Sequence, residues 1–208
     1  MTAAIQRPAL HLVDDTEDTT NPAADSETCD GWHAETVLTQ WDPENQLVGS
    51  LMWLTAAQAR PILQAVPASA IWRPTARWVY EIITTLVDGG QDPNPVTVMA
   101  AARTQPYSEA LRPGQPPTAT EIKRVALYMF DAYRHAMTPD VTAGTYARDV
   151  LEEAYRRGFT QAGLRMQQLG ETNAEPEALT AQFIAIRNEL ADLRRRAEAT
   201  AQPGWWKP

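Results

Sequence analysis

Cysteine is almost missing from this 208-residue chain. Cys29 is the only one, which excludes a disulfide framework and a cysteine-rich zinc site. Histidine is scarce as well: His11, His33 and His135 lie far apart in sequence, a poor basis for a histidine metal centre. Lysine occurs twice, at Lys123 and Lys207, and neither follows a glycine-rich turn. A phosphate-binding loop is therefore not expected. No apolar run approaches the ~20 residues of a membrane span. The first 30 residues hold one Arg among several acids and no apolar stretch, unlike a secretory signal. These absences lead to the expectation of a soluble, cytoplasmic protein with no cofactor, no bound metal and no membrane partner.

Charge is what the chain has in excess of one sign, at −8. It is unevenly placed. Residues 1–50 hold ten acids and the single base Arg7, while residues 51–150 come to +1 and residues 151–208 to zero. The segment 1–40 is expected to be a disordered acidic tail, since it is rich in Asp, Glu, Thr, Ala and Pro and lacks periodicity. A solubilising leader explains it most simply, with a DNA mimic or partner-binding tail as the sharper alternative.

Beyond the tail, helix signals succeed one another. Asp42-Pro43 supplies a cap followed by a first-position proline. Leu47, Val48, Leu51, Met52 and Leu54 then share one helical face. Thr55 caps a short second helix to about Val66, which Pro61 is expected to split or kink. Pro74 opens the strongest helix, with Trp78, Val79, Ile82, Ile83, Leu86 and Val87 inward and Gly89-Gly90 as its stop. Asn94-Pro95 repeats the cap-and-proline start, with Val98, Met99 and Ala102 inward. Thr118 and Glu121 have capping-box spacing, ahead of Ile122, Val125, Ala126, Met129, Phe130 and Tyr133.

Two long helices are expected to close the chain. The first runs from about Thr142 to Leu169, with Tyr146, Val150, Leu151, Ala154, Ala162, Met166 and Leu169 inward. A break at 170–176 follows. The second carries Leu179, Phe183, Ile186, Leu190, Leu193 and Ala197 at heptad spacing, a seam that needs a partner helix. The preceding helix is the nearest candidate, so an antiparallel hairpin is expected. No segment alternates like a strand. The fold class is thus all-α: a small helical globule followed by a long antiparallel hairpin. The expected division is an acidic tail (1–40), a helical globular subdomain (41–103), a proline-rich linker (104–120), a hairpin subdomain (121–200) and a Trp-rich tail (201–208).

Catalytic constellations are not found. There is no Gly-x-Ser-x-Gly elbow, and Cys29 has no positioned base beside it. No catalytic residue is assigned. What stands out instead is an aromatic and arginine cluster. Trp72, Arg73, Arg77 and Tyr80 lie around the start of the strongest helix, where Trp78 accounts for core packing. Such residues are typical interface anchors. Arg156 and Arg157 pair at i, i+4 with Glu152 and Glu153, as an interaction surface or a solvated helix face. Arg194, Arg195 and Arg196 suit a helix C-terminus. Trp205-Trp206 either docks back on the fold or marks a partner-binding peptide.

Taken in order, these segments resemble the N-terminal domain of bacterial replicative DNA helicases of the DnaB family. Glu44-Asn45-Gln46-Leu47-Val48-Gly49-Ser50-Leu51 is similar to the family's opening helix. Ile71-Trp72-Arg73-Pro74-Thr75-Ala76-Arg77 fills the place of its Phe-Tyr-x-Pro-x-His-Arg stretch, with Ala76 where the family has His. Gly90 and Asn94-Pro95-Val96-Thr97-Val98 match the next rhythm, with Asn94 in place of Asp. Tyr146-Ala147-Arg148-Asp149-Val150-Leu151-Glu152-Glu153 is similar to the start of the family's hairpin. The resemblance spans about residues 42–200. The ATPase motifs of the family's motor are lacking.

The resemblance implies a DnaB-like collar protein acting in DNA replication, of bacterial or phage type, and no enzyme. Its implied partners are a replicative helicase, a primase or further copies of itself as a homo-oligomer, with DNA contact only indirect. Trp72, Arg73, Arg77, Tyr80, Arg156 and Arg157 are the partner-binding candidates. The alternatives are an acidic-tailed regulator or inhibitor of a host helicase, or a non-motor subunit of a split helicase.

Overall fold

The computed structural model describes residues 38–109, 115–172 and 175–207. The acidic tail lies outside the described residues as far as position 37, together with Cys29, His11 and His33; so do 110–114 of the proline-rich stretch.

Every described element is helical. α1 (Pro43–Leu51) starts as its sequence dictates: the Asp42 carboxylate accepts from the Glu44 N–H at 2.9 Å, and Pro43 takes the first position, where an N–H would have no partner. α2 (Ala56–Ala65) opens with a Thr55/Gln58 capping box. It runs as one element through Pro61, so the expected split does not occur. The proline removes a single intrahelical bond from a helix whose start is capped and whose Ala59 and Ile62 are fully buried. A short 3-10 turn (Ala68–Ala70) leads to α3 (Pro74–Asp88), which stops at Gly89 with Gly90 at φ 74°. α4 (Pro95–Ala102) is capped by Asn94, and α5 (Ala119–His135) by a Thr118/Glu121 box.

α6 (Pro139–Glu171) and α7 (Pro176–Ala199) form the long pair. α6 begins at Pro139, ahead of the expected start near Thr142, because proline suits the first helical position, where an N–H has no partner. The preceding Thr138 sits at φ 42°, a left-handed conformation that costs a non-glycine residue energy. The pair is antiparallel: Gly158 faces Leu190, and Arg165 pairs with Glu189 further out.

α1 is the hub. Its residues from Glu44 to Leu51 are all buried, and it packs against α6, α5 and α3. Gly49 permits a close approach of α5, since a β-carbon there would overlap the Ala132 carbonyl. α3 is covered by α1, α2, α4 and α5. α5 contributes Val125, Met129 and Ala132 to the same buried cluster that holds Leu47, Ile82 and Leu151.

The expected seam of α7 is only half buried. Ile186 is enclosed, and Leu190, Leu193 and Ala197 are partly covered, whereas Leu179 and Phe183 are exposed. On α6, Met166 is likewise exposed where an inward position was expected. Two helices packed on each other cover only one stripe of each, and these outer turns have no third helix against them among the described residues.

Candidate functional site

Three of the six partner-binding candidates, Trp72, Arg77 and Arg157, meet where the globule faces the hairpin. A groove of about 650 Å³ runs there between the 67–77 segment and α6–α7, with Trp72, Arg77, Tyr107, Glu109 and Arg157 among its walls.

Its anchor is a residue that the sequence reading assigned only to a helix start. Glu44 is buried, and its carboxylate accepts from the backbone N–H groups of Trp72 (2.8 Å) and Arg73 (3.1 Å) and from the Arg157 guanidinium (3.1 Å). The same guanidinium donates to the Ala70 carbonyl at 2.6 Å and lies 5.8 Å from the Trp72 ring centroid. One carboxylate therefore joins the starts of α1 and α3 to the middle of α6. A buried carboxylate is tolerable only with such a complete set of partners.

The other arginines are also engaged. Arg73 reaches Asp42 at 2.9 Å. Arg77 donates to the Ala68 carbonyl at 3.0 Å and to Glu109 at 2.6 Å. With their charges compensated, these groups position the groove walls. Trp72 keeps 60% of its surface exposed, and Arg156, whose carboxylate contact to Glu152 is 4.0 Å long, is the most exposed of the arginine candidates.

Tyr80 is different. It is 1% exposed, and its hydroxyl donates to the Val66 carbonyl at 2.7 Å. Although a partner-binding candidate by sequence, Tyr80 presents no surface to a partner: α3 is covered on several sides, so a residue off its main apolar stripe is buried too. Burial pushes its phenol well above the ordinary value.

The arginine run near the end of α7 has a more specific use than dipole compensation. Arg194 pairs with Glu198 and Arg195 with Asp192, on the surface. Arg196 donates to Asp192 at 2.7 Å and caps the Gln64 and Ala65 carbonyls, both at 3.1 Å. It thus fastens the base of the hairpin to the C-terminus of α2, where carbonyls lack intrahelical donors. The Arg196 and Arg195 hydrogen bonds hold the Asp192 carboxyl below its usual value. On α6, burial raises the carboxyls of Asp149 and Glu153. The terminal tryptophans dock back on the fold: Trp206 is buried against Gly144.

Nothing in the sequence marks Glu44 and Asp42 as organisers of this region, or Tyr107 and Glu109 as groove residues. Glu44 and Arg157 are 113 residues apart, and no local signal links them. Arg157 has the i, i+4 partner expected, Glu153 at 3.6 Å, yet Glu44 is nearer.

The outer turns of the hairpin also carry exposed apolar side chains. Phe159, Leu164 and Phe183 are 53%, 56% and 55% exposed, and Met166, Leu179 and Ile184 are exposed as well. Among the described residues, no group of three His, Cys, Asp or Glu could hold a metal ion, and no helix is long and apolar enough to cross a membrane.

The fold is similar to a solved one, the N-terminal domain of DnaB helicase from Mycobacterium tuberculosis. The TM-score is 0.54 and the identity 24%, over 72% of this chain and 95% of that one. At that identity the likeness establishes the all-helical fold. No family model and no curated protein matches the chain.

Proposed function

We propose that this chain is a non-motor interaction module of the DNA replication machinery, which assembles with further copies of itself through the outer hairpin. The observation that carries this reading is the apolar surface of Phe159, Leu164 and Phe183. Scattered apolar side chains are ordinary on a soluble protein. Here several lie on the outer turns of the same two helices, where a helix pair has a face left to cover. A second hairpin offers a face of the same chemistry, as a two-fold contact requires.

The likeness to a helicase N-terminal domain supports a replicative helicase or a primase as the further partner. The groove then supplies the second contact through the exposed indole of Trp72, with the exposed Arg156 of α6 as a further contact. The chain by itself hydrolyses no ATP in this reading.

Co-elution tests it. The chain is expected to self-associate with rising concentration and to co-elute with the helicase or primase of its own host. Phe159→Ser with Phe183→Ser removes the first behaviour, and Trp72→Ala with Arg156→Glu removes the second. A chain that stays monomeric and binds neither protein contradicts the reading.

A further inference from the structure

Gly144 lies six residues into α6. A glycine inside a helix is a poor helix former, because the backbone loses more freedom there than an alanine does. α6 contains others: a β-carbon on Gly163 or Gly170 would meet open space. At Gly144 it would overlap the indole of Trp206. The bare backbone is thus matched to a ring that arrives from beyond the end of α7. Trp206 is 4% exposed and belongs to the main buried cluster. Trp205 donates its ring N–H to the Gly144 carbonyl at 3.4 Å, across 61 residues of chain. The Lys207 ammonium lies 5.6 Å from the Trp206 ring centroid. Gly204, at φ 73°, makes the turn that brings the segment back.

We propose that α6 carries an indole-binding slot floored by Gly144, and that residues 202–207 are an exchangeable internal ligand for it. The slot accepts a tryptophan-bearing segment of this kind in trans, as well as the chain's own in cis. Three features support exchange. The segment lies beyond the end of α7 at Ala199 and turns within itself at Pro203-Gly204, so it can leave without unwinding α7. Among the described residues, its side-chain hydrogen bonding to α6 is the long Trp205 contact, and the rest of the contact is burial of a ring. A buried tryptophan in a fitted pocket is also the kind of residue that dominates short-peptide recognition. The inference is independent of the proposed function, since it concerns α6 near its start and not the outer hairpin.

The test uses the full chain carrying Trp206→Ala and a synthetic peptide of residues 202–207. The variant is expected to bind the peptide at least about tenfold more tightly than the unaltered chain, whose own segment competes at high effective concentration. Binding is expected to disappear when the peptide itself carries Trp206→Ala, or when Gly144→Ala is added to the protein. A helical Trp206→Ala chain that ignores the peptide overturns the proposal, as does one that binds equally well with Gly144→Ala. A Trp206→Ala chain that fails to fold overturns exchangeability. A second readout needs no peptide. In the otherwise unaltered chain, Gly144→Ala should retain α6, alanine being the better helix former, while residues 202–207 lose hydrogen-exchange protection. Gly163→Ala should leave that protection unchanged. Full protection of 202–207 in Gly144→Ala contradicts the slot.

Discussion

The two ends of α6 have different surroundings. From Ala143 to Ala154 its inward positions are all enclosed: Ala143, Gly144, Ala147, Val150, Leu151 and Ala154 are buried. From Phe159 to Glu171 only Ala162 is buried, and Phe159, Leu164 and Met166 face outward. α7 repeats the division in reverse order. Its final turns carry Leu193 and Ala197 against the core cluster and Arg196 on α2, while its first turns expose Leu179 and Phe183. The inner half is held by α1, α2 and the terminal tryptophans. Among the described residues, the outer half packs mainly on its partner helix. The helices are continuous, so the difference comes from what packs on them. The inner half is therefore expected to govern stability, and the outer half is where the proposed self-association takes place.

Substitutions that separate the halves sharpen that contrast. The largest effect is expected at Glu44→Ala, which removes the carboxylate shared by Arg157 and two backbone donors. Stability should fall by about 3 kcal/mol, as for other broken buried charge pairs, read from denaturant unfolding. Phe183→Ser should do the opposite. It should change unfolding free energy by less than ~0.5 kcal/mol, as surface changes do, yet weaken self-association about tenfold, or ~1.4 kcal/mol. A Phe183→Ser chain as destabilised as Glu44→Ala would erase the distinction between the halves. Tyr80→Phe comes next, since it leaves the Val66 carbonyl without its buried donor, at a cost of about 1 kcal/mol.

The smallest effect concerns pH. The Asp192 carboxyl is held below its ordinary value of 3.8 by Arg196 and Arg195. The unfolded chain therefore binds more protons than the folded one in that window. Its stabilisation is present above the ordinary value and is lost as pH falls through the lowered one. Asp149 and Glu153 have the opposite sign, because burial raises their folded values. Their ionised forms cost stability as pH rises through the carboxylate range. Asp192→Asn should make the acid-side fall in Tm shallower, by a small and salt-sensitive amount, because the pair is exposed. An unchanged acid limb would show that the Asp192 pairs add nothing to the inner half.

The helices were legible because their signals are local. Asp42, Thr55, Asn94 and Thr118 each cap a helix within three residues of themselves, and the apolar spacing of α3 identified its buried face. The heptad spacing of α7 correctly indicated a helical partner. It could not indicate how far along that partner the pair stays covered, which depends on where the globule ends. Tyr80 was misplaced for a similar reason: one apolar stripe implies one covered side, and α3 has several. Glu44 escaped notice because its partners come from α3 and α6, brought together only by the finished fold. Trp206 was left open between docking and display. The deciding residue, Gly144, has no sequence signature beyond being a glycine within a helix.

Sedimentation velocity over a range of concentrations tests the central claim most directly, with the full chain compared against Phe159→Ser with Phe183→Ser. Concentration-dependent association is expected of the unaltered chain, and a monomer of unchanged helicity of the double variant. A monomer for both, or equal association of both, would contradict the assignment of the outer hairpin as the assembling surface.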